Sequence, residues 1–438
     1  MVKLFNYIIA LWRKLLSADI VKVFSLTSVS TLVRMLTGLI SVKVVSVIIG
    51  PSGIALLGQL NSFVTVVMSL ATGGISNGVT KYVAEEKEDT QKIREYISTA
   101  LKITLFCSFL VGLLMIVFNN FLSTIIMKSA GYGYVFVIFG VTVFLYALNG
   151  LLLSVLNGFK KFKIFVKINI VSSIIGLIFS LLLVYYFGLD GALIGVVTSQ
   201  SVVFFFSLWM ARKEFWINIQ YYKSKLDRVI TKKFAHYSLM AFVTMATVPV
   251  SQLILRGYVI SNISAIEAGW WEAMNRISNM YLMVITSSFG VYYLPRLSEL
   301  KENHEIRHEI YKAYKVILPV LCAGFAVIYL LRLLVIKILF TPDFYPMQQL
   351  FIWQLVGDLF KISSWLVAFL MVAKAMTKAF IITEILFSAL FVGLSFAFIR
   401  FSGVVGITQA YMINYMLYTV LMFVIFRKIM FANTRSCC

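Results

Sequence analysis

The feature that most constrains this 438-residue chain is a succession of twelve stretches, each long and apolar enough to cross a lipid bilayer. A spanning helix needs about 20 predominantly apolar residues. Such stretches lie at 23–49, 54–77, 98–118, 133–156, 168–187, 190–210, 236–260, 268–294, 315–340, 347–372, 380–400 and 404–426. In hydrocarbon the backbone must satisfy its own hydrogen bonds, which a helix does within one segment. The expected class is an all-α polytopic membrane protein. Composition agrees: 61% of residues are hydrophobic and 13% charged, against about 45–50% and about 25% in soluble domains.

The net charge of +21 would point to nucleic acid in a soluble chain. Here its distribution carries a different message. Counting alternate loops, one side of the membrane holds 28 Lys and Arg, and the other holds only Lys128 and Arg400. Basic residues stay on the cytoplasmic side, so both termini are expected there and no nucleic-acid partner is implied. The expected organisation is a cytoplasmic interfacial segment at 1–22, an N-lobe of six helices at 23–211, a cytoplasmic linker at 212–235, a C-lobe of six helices at 236–426, and a tail at 427–438. Leu4, Ile8, Leu11 and Leu15 give the first segment an apolar stripe among Lys3, Arg13, Lys14 and Lys22, the pattern of a helix lying in the interface rather than a cleaved signal. The loops on the far side are short, the longest running from Asn119 to Tyr132, so any function has to sit among the helices.

A repeat fixes the relation between the lobes. Shifted by about 214 residues, Ile54-to-Asn61 falls on Ala268-to-Asn275, Thr72 on Thr286, and Glu85-to-Asp89 on Glu299-to-Asn303. Thr99-to-Leu105 matches Lys312-to-Leu318, and Gly158-to-Phe165 resembles Ala373-to-Phe380. Six helices per copy is an even number, so both copies insert the same way round. A parallel repeat about an axis along the membrane normal places a substrate site between the halves. Where the first copy has Gly58 and Ser62, the second has Glu272 and Arg276.

The membrane-depth polar residues cluster by helix face. Arg34 lies 12 residues into the first helix, about 18 Å from its cytoplasmic end. Thr27, Ser30, Thr31, Thr37, Gly38 and Ser41 share its face, while Lys43 points the other way and could snorkel outward. The second helix aligns Asn61, Thr65, Ser69, Thr72 and Ser76; the eighth aligns Glu272, Asn275, Arg276, Asn279, Thr286 and Ser287. The tenth puts Gln354, Asp358, Lys361 and Trp365 on one side. Seven basic residues at depth (Arg34, Lys43, Arg256, Arg276, Arg332, Lys337, Lys361) oppose three acids (Glu272, Asp358, Glu384). At about 2.5–3.5 kcal/mol per central charge, full exposure to lipid would cost roughly 20 kcal/mol. Local spacing allows Glu272 to pair with Arg276 and Asp358 with Lys361. An excess of about four positive charges is left, and it points to a water-filled cavity that receives an anion. Arginine there suits bidentate phosphate binding.

Other motifs carry less. His304-Glu305-Ile306-Arg307-His308 spells a zinc-protease HExxH, but it sits in a polar loop with no third-ligand motif, so no metal is expected. No GxxxxGK[ST] is present, and no external loop could hold an enzyme's catalytic carboxylates. Cys107, Cys322, Cys437 and Cys438 show no disulfide or ligand spacing.

Several strings resemble a family. Gly74-to-Ala84 (GISNGVTKYVA), Tyr292-to-Ser298 (YYLPRLS), Trp353-to-Asp358 (WQLVGD) and Ala410-Tyr411-Met412 are similar to segments of Wzx-type flippases. These belong to the multidrug/oligosaccharidyl-lipid/polysaccharide exporter superfamily. The likeness is greatest to the branch of enterobacterial common antigen flippases and O-antigen translocases, and it covers all twelve stretches. The chain departs from that branch in its longer N-terminal extension through Val21. The resemblance implies a two-lobed transporter of the bacterial inner membrane, not an enzyme, that works by alternating access. It would move undecaprenyl-diphosphate-linked oligosaccharide from the cytoplasmic to the periplasmic leaflet. Arg34, Arg256, Arg276 and Lys361 would hold the diphosphate, and Asn61, Thr65, Asn275, Asn279 and Gln354 would form a polar wall for sugars. Glu272 or Asp358 would serve an ion pair or a coupling proton or sodium ion, with no other cofactor. Membrane lipids, a polysaccharide polymerase and a chain-length regulator are the implied partners. The alternatives are a cation-exporting multidrug antiporter, which would want an acidic cavity, and a major-facilitator transporter, whose loop signature is missing after Lys81.

Overall fold

The computed structural model describes residues 19–86, 88–222, 224, 227–289, 293–374 and 376–430. Most of the interfacial segment expected at 1–22, Tyr292 of the YYLPRLS string, and Cys437 and Cys438 lie outside the described residues. Those described form helices and short turns with no β-strand, as the apolar runs require.

Nine of the described stretches are long and apolar enough to cross a membrane. Two of these are too long for one crossing. Phe162–Ala211 contains 50 residues, about 75 Å of straight helix at 1.5 Å per residue against about 30 Å of hydrocarbon. It is broken at Gly188, whose φ of 56° and ψ of −127° are not helical. Asp19–Ala71 is broken in the same way at Gly50, with φ 66° and ψ −172°, followed directly by Pro51. A left-handed φ is costly for any residue with a Cβ, and proline is at home in a first helical turn. Each stretch is therefore two helices joined by one residue: α1 (19–49) and α2 (51–71), and later α7 (162–187) and α8 (189–211).

The remaining helices are α3 (Ser76–Glu85), α4 (Thr90–Val117), α5 (Asn119–Ile126), α6 (Gly133–Gly158), α9 (Arg228–Asn262), α10 (Ala265–Ser288), α11 (Leu294–Glu299), α12 (Asn303–Leu330), α13 (Arg332–Leu339), α14 (Phe351–Ala373), α15 (Thr377–Ser402), α16 (Val405–Ile425) and α17 (Arg427–Met430). Three of their starts are side-chain capped. Asp89 accepts from the Gln91 and Lys92 N–H groups, Asp227 from Val229 and Ile230, and Ser264 from Ile266, which satisfies otherwise orphaned donors. The 24-residue α10 is long enough to cross but is not among the nine; Glu267, Glu272, Asn275, Arg276 and Asn279 make it too polar.

In the first half, α1 and α2 pack against α7 and α8, and α6 lies between these and α4. In the second half, α16 packs against both α14 and α15, and α15 against α9. The two halves meet where α1 and α2 lie against α9 and α10. One large apolar core runs through both halves. A smaller one gathers Val83, Ile93, Tyr96, Ile97 and Leu156 of the first half around Trp216, Tyr221, Ile230 and Phe234. The segment between the halves is thus folded onto the first half, with Trp216 only 2% exposed. Lys233 donates to the Tyr96 hydroxyl at 3.0 Å, a hydrogen bond that raises its pKa above the ordinary lysine value.

His304 and His308 stand exposed on the first turns of α12, and no group of three metal-ligating side chains occurs among the described residues.

Candidate functional site

The halves cross at α2 and α10, and small residues let them approach closely. A Cβ on Gly269 would lie 1.9 Å from the Pro51 carbonyl oxygen, and one on Gly58 would lie 2.4 Å from the Glu272 carboxyl carbon. Gly58 therefore sits directly against the residue 214 positions later, its equivalent in the sequence repeat. The space that glycine leaves is filled by the Glu272 side chain.

Glu272 is the centre of a charged knot. Its Oε2 accepts from Arg256 at 2.5 Å and its Oε1 from the Arg276 Nε at 3.1 Å. Arg256, 1% exposed, reaches across to α2, where it donates to Ser62 at 3.2 Å and to Gln59 at 3.5 Å. The Trp271 ring packs 5.5 Å from its guanidinium. Gln59 in turn donates to the Leu253 carbonyl at 3.0 Å. The terminal amino groups of Arg276 make no hydrogen bond among the described residues.

This knot forms one wall of a cavity of about 390 Å³ between the halves. Gly38 and Ser41 of α1, Asn61, Ser62 and Thr65 of α2, Gln252 and Arg256 of α9, and Asn275, Arg276 and Asn279 of α10 line it. A second cavity of about 520 Å³ lies within the first half, where Arg34, Thr37, Gly38 and Ser41 face Asn169, Ser172 and Ser173 of α7 and Gln200 of α8. A third, of about 160 Å³, lies within the second half. Its walls include Asn275 and Asn279 of α10, Gln354, Lys361 and Trp365 of α14, Glu384 of α15, and Tyr411, Asn414, Tyr415 and Tyr418 of α16. Gly38 and Ser41 border the first two cavities, and Gln252, Asn275 and Asn279 border the first and third. The three make one polar tract across the protein.

The structure gathers most of the residues singled out from the sequence onto this tract. Arg34, Asn61, Thr65, Arg256, Asn275, Arg276, Asn279, Gln354, Lys361 and Glu272 all line it. Asp358 does not. It is fully buried, with Oδ2 accepting from Ser278 at 2.7 Å, from Gln354 at 3.3 Å and from Tyr281, and Oδ1 from Tyr411 at 2.7 Å.

Three expectations are corrected. Asp358 forms no ion pair with Lys361; hydroxyl and amide donors from α10, α14 and α16 surround it instead. Lys361 lies over Trp365, Tyr411 and Tyr415, at 5.1, 5.5 and 5.2 Å from their centroids. Lys43 does not snorkel. Its ammonium donates to the Phe340 carbonyl at 2.7 Å and to that of Lys337 at 3.2 Å, which ties α1 to the end of α13. The cationic excess in the cavities is two rather than about four, because four cations and two carboxylates line them. Arg332 stacks on Tyr329 at 4.3 Å outside the tract, and Lys337 is exposed.

The sequence names Ser62 only as the counterpart of Arg276 and Tyr411 only within a family string; Gln59 and Gln252 at the crossing and the rest of the α16 polar face go unmarked there. Tyr411, Asn414, Tyr415 and Tyr418 fall at i, i+3, i+4 and i+7, one helical face, a signal present in the sequence.

Comparison with known proteins fits this arrangement. Residues 20–301 match the family described as polysaccharide biosynthesis protein. The chain is 32% identical over 397 residues to the lipid III flippase of Escherichia coli (strain K12), covering 90% of this chain and 94% of that one, and equally so to the lipid III flippase of Shigella flexneri. Among solved structures, an inward-facing multidrug resistance MATE family transporter of the MOP superfamily superposes with a TM-score of 0.77 at 14% identity, covering 93% of this chain and 96% of that one. The lipid II flippase MurJ in an inward closed conformation superposes with a TM-score of 0.70 at 15% identity, covering 92% and 89%. At such identities the structural likenesses speak to the fold.

Proposed function

The chain belongs to the polysaccharide biosynthesis protein family, and from that premise we propose that it is a flippase for an undecaprenyl-diphosphate-linked oligosaccharide of the lipid III or O-antigen kind. It is a transporter rather than an enzyme, as the flippase names of its relatives support. It would sit in the bacterial inner membrane with both termini in the cytoplasm and cross it twelve times. The nine apolar stretches, the extra crossing that each of Gly50 and Gly188 creates, and the polar α10 support that number. Two six-helix lobes would rock about the α2–α10 crossing. The contact between the equivalent residues Gly58 and Glu272 supports a parallel repeat with its axis near that point.

The observation that carries the reading is the polar tract between and within the halves, with Arg34 at one end and Arg276 at its centre. Unpaired charge cannot be moved through hydrocarbon, so a lipid diphosphate needs a lined, hydrated route with cationic partners. Arg34, with its side chain exposed to the first-half cavity, and Arg276, with free terminal amino groups, would bind the diphosphate directly. Arg256, held by Glu272, would position Arg276's partner and contribute field. Lys361 stands farther along the tract. Asn61, Thr65, Asn275, Asn279 and Gln354 would border the glycan while the isoprenoid tail stays in lipid. A coupling proton or sodium ion would act at Glu272, which borders the cavity, rather than at the sealed Asp358. A polymerase and a chain-length regulator would take the glycan after release.

The test is complementation in a strain lacking its own flippase. Arg34→Ala and Arg276→Ala should each lower surface glycan about tenfold or more, the loss of a charge-assisted phosphate contact, with normal amounts of protein in the membrane. Normal export in both variants would overturn the proposal.

A further inference from the structure

We infer that the small cavity of the second half is a subsite for one pyranose ring of the glycan headgroup, and that it selects among glycans independently of diphosphate binding. The inference rests on the flippase reading above, and it assigns a role to Trp365, Glu384, Tyr411, Asn414 and Tyr415 that the diphosphate does not require.

Size is the first argument. At about 160 Å³ the cavity is well below the roughly 300–1,000 Å³ of sites that hold drug-sized ligands, and it suits a single six-membered ring. Its walls are the second. Tyr411 and Tyr415 lie edge to face with centroids 4.8 Å apart. With Trp365 they surround the Lys361 ammonium, and all four residues line the cavity, so aromatic carbon stands there beside fixed polar groups. A pyranose has this same duality, with C–H groups on its faces and hydroxyls around its edge, and aromatic side chains suit such a partner.

Unmet hydrogen bonds are the third argument, and they discriminate. The side-chain oxygen of Asn414, a residue only 4% exposed, and the side-chain nitrogen of Asn275 are both buried without a partner. An unmet buried group is costly, and native structures leave few. The two residues come from different helices onto one cavity wall. One needs a donor and the other an acceptor. A phosphate presents acceptors and would leave Asn414 unmet, and the Glu384 carboxylate on the same wall would repel it. An isoprenoid tail presents neither. Adjacent hydroxyls on a sugar ring present both: they donate to Asn414 and Glu384, and accept from Asn275 and Lys361.

Full-length protein in nanodiscs would be tested by saturation-transfer difference NMR against methyl glycosides of neutral hexoses, N-acetylhexosamines and hexuronic acids, with inorganic pyrophosphate as a separate probe whose binding is read from broadening of its phosphorus-31 resonance. At least one glycoside class should receive saturation. Asn414→Leu should weaken its binding about tenfold, and Ser388→Phe, which fills the cavity from α15, should abolish it. Retained pyrophosphate binding shows that each variant is folded. No transfer to any glycoside, or unchanged glycoside affinity in both variants, would overturn the subsite. Absence of pyrophosphate binding to the unaltered protein, with glycoside binding intact, would instead remove the diphosphate role of Arg34 and Arg276.

Discussion

Glu272→Gln isolates the charge that anchors Arg256 where it reaches across to the other half, because it keeps the shape of the side chain. Arg256 and Glu272 approach to 2.5 Å with side-chain exposures of 1% and 10%. At an effective dielectric constant near 20, unit charges about 4 Å apart attract by about 4 kcal/mol, and removing one member of a buried pair costs about 3–5 kcal/mol. Arg276 softens the loss, since its 18% exposed side chain can turn to water. Arg256 cannot; its other partners, Ser62 and Gln59, are neutral. We therefore expect Glu272→Gln to destabilise the purified protein by about 3 kcal/mol, measured by unfolding in mixed micelles with increasing SDS. Arg256→Gln should cost a similar amount by stranding Glu272. The double variant should fall short of the sum of the two by about 2 kcal/mol or more, since residues in one ion pair couple strongly. Additivity within about 0.5 kcal/mol would mean that the pair adds nothing to the junction, and the reasoning would fail.

Three further outcomes follow from single positions. Gly58→Val would place its Cβ within 2.8 Å of three Glu272 atoms and should lower the melting temperature and abolish export, whereas Gly38→Ala, with nothing within 4 Å, should melt like the parent. Asp358→Leu should cost several kcal/mol in the same SDS titration, at about 1–3 kcal/mol for each of the hydroxyl donors left unmet, and Asp358→Asn should cost clearly less because its amide oxygen still accepts. Gly188→Ala meets no atom yet must hold a φ of +56°; a loss of about 1–2 kcal/mol is expected from the backbone alone, and a neutral result would show that the turn relaxes.

The apolar runs were readable because hydrocarbon admits so few solutions. The turns at Gly50 and Gly188 fall at or beside the ends of the expected stretches, where the run of apolar residues alone marks a reversal. The polar face of α1 was also legible: Arg34, Thr37, Gly38 and Ser41 share a wheel face and share a cavity, since helical periodicity needs no knowledge of neighbours. What periodicity cannot supply is the neighbour itself. Spacing offered Asp358 a partner one turn away at Lys361, but α10 and α16 bring Ser278, Tyr281 and Tyr411 closer. Lys43 was placed on the correct side of α1, away from Arg34, yet its partners are carbonyls almost 300 residues later. The repeat revealed Glu272 as the counterpart of Gly58 without revealing that the two touch.

The charges at membrane depth sort by physical fate, and the sorting bears on the cargo. Lys43 is bonded to carbonyls, Arg332 lies on a tyrosine ring, Lys337 is exposed near one end, and Asp358 is enclosed by donors. None of these asks for a ligand. Arg34, Arg256, Arg276 and Lys361 remain on the tract with Glu272 and Glu384, and the surplus is two positive charges. A cationic drug would meet that surplus unfavourably. A diphosphate diester has two ionisable oxygens and so matches it in sign and in number. On the proposed reading Glu272 would keep the match from becoming a trap: by occupying Arg256 and one nitrogen of Arg276, it would leave enough cation to draw the anion in, and too little to hold it against release on the other side.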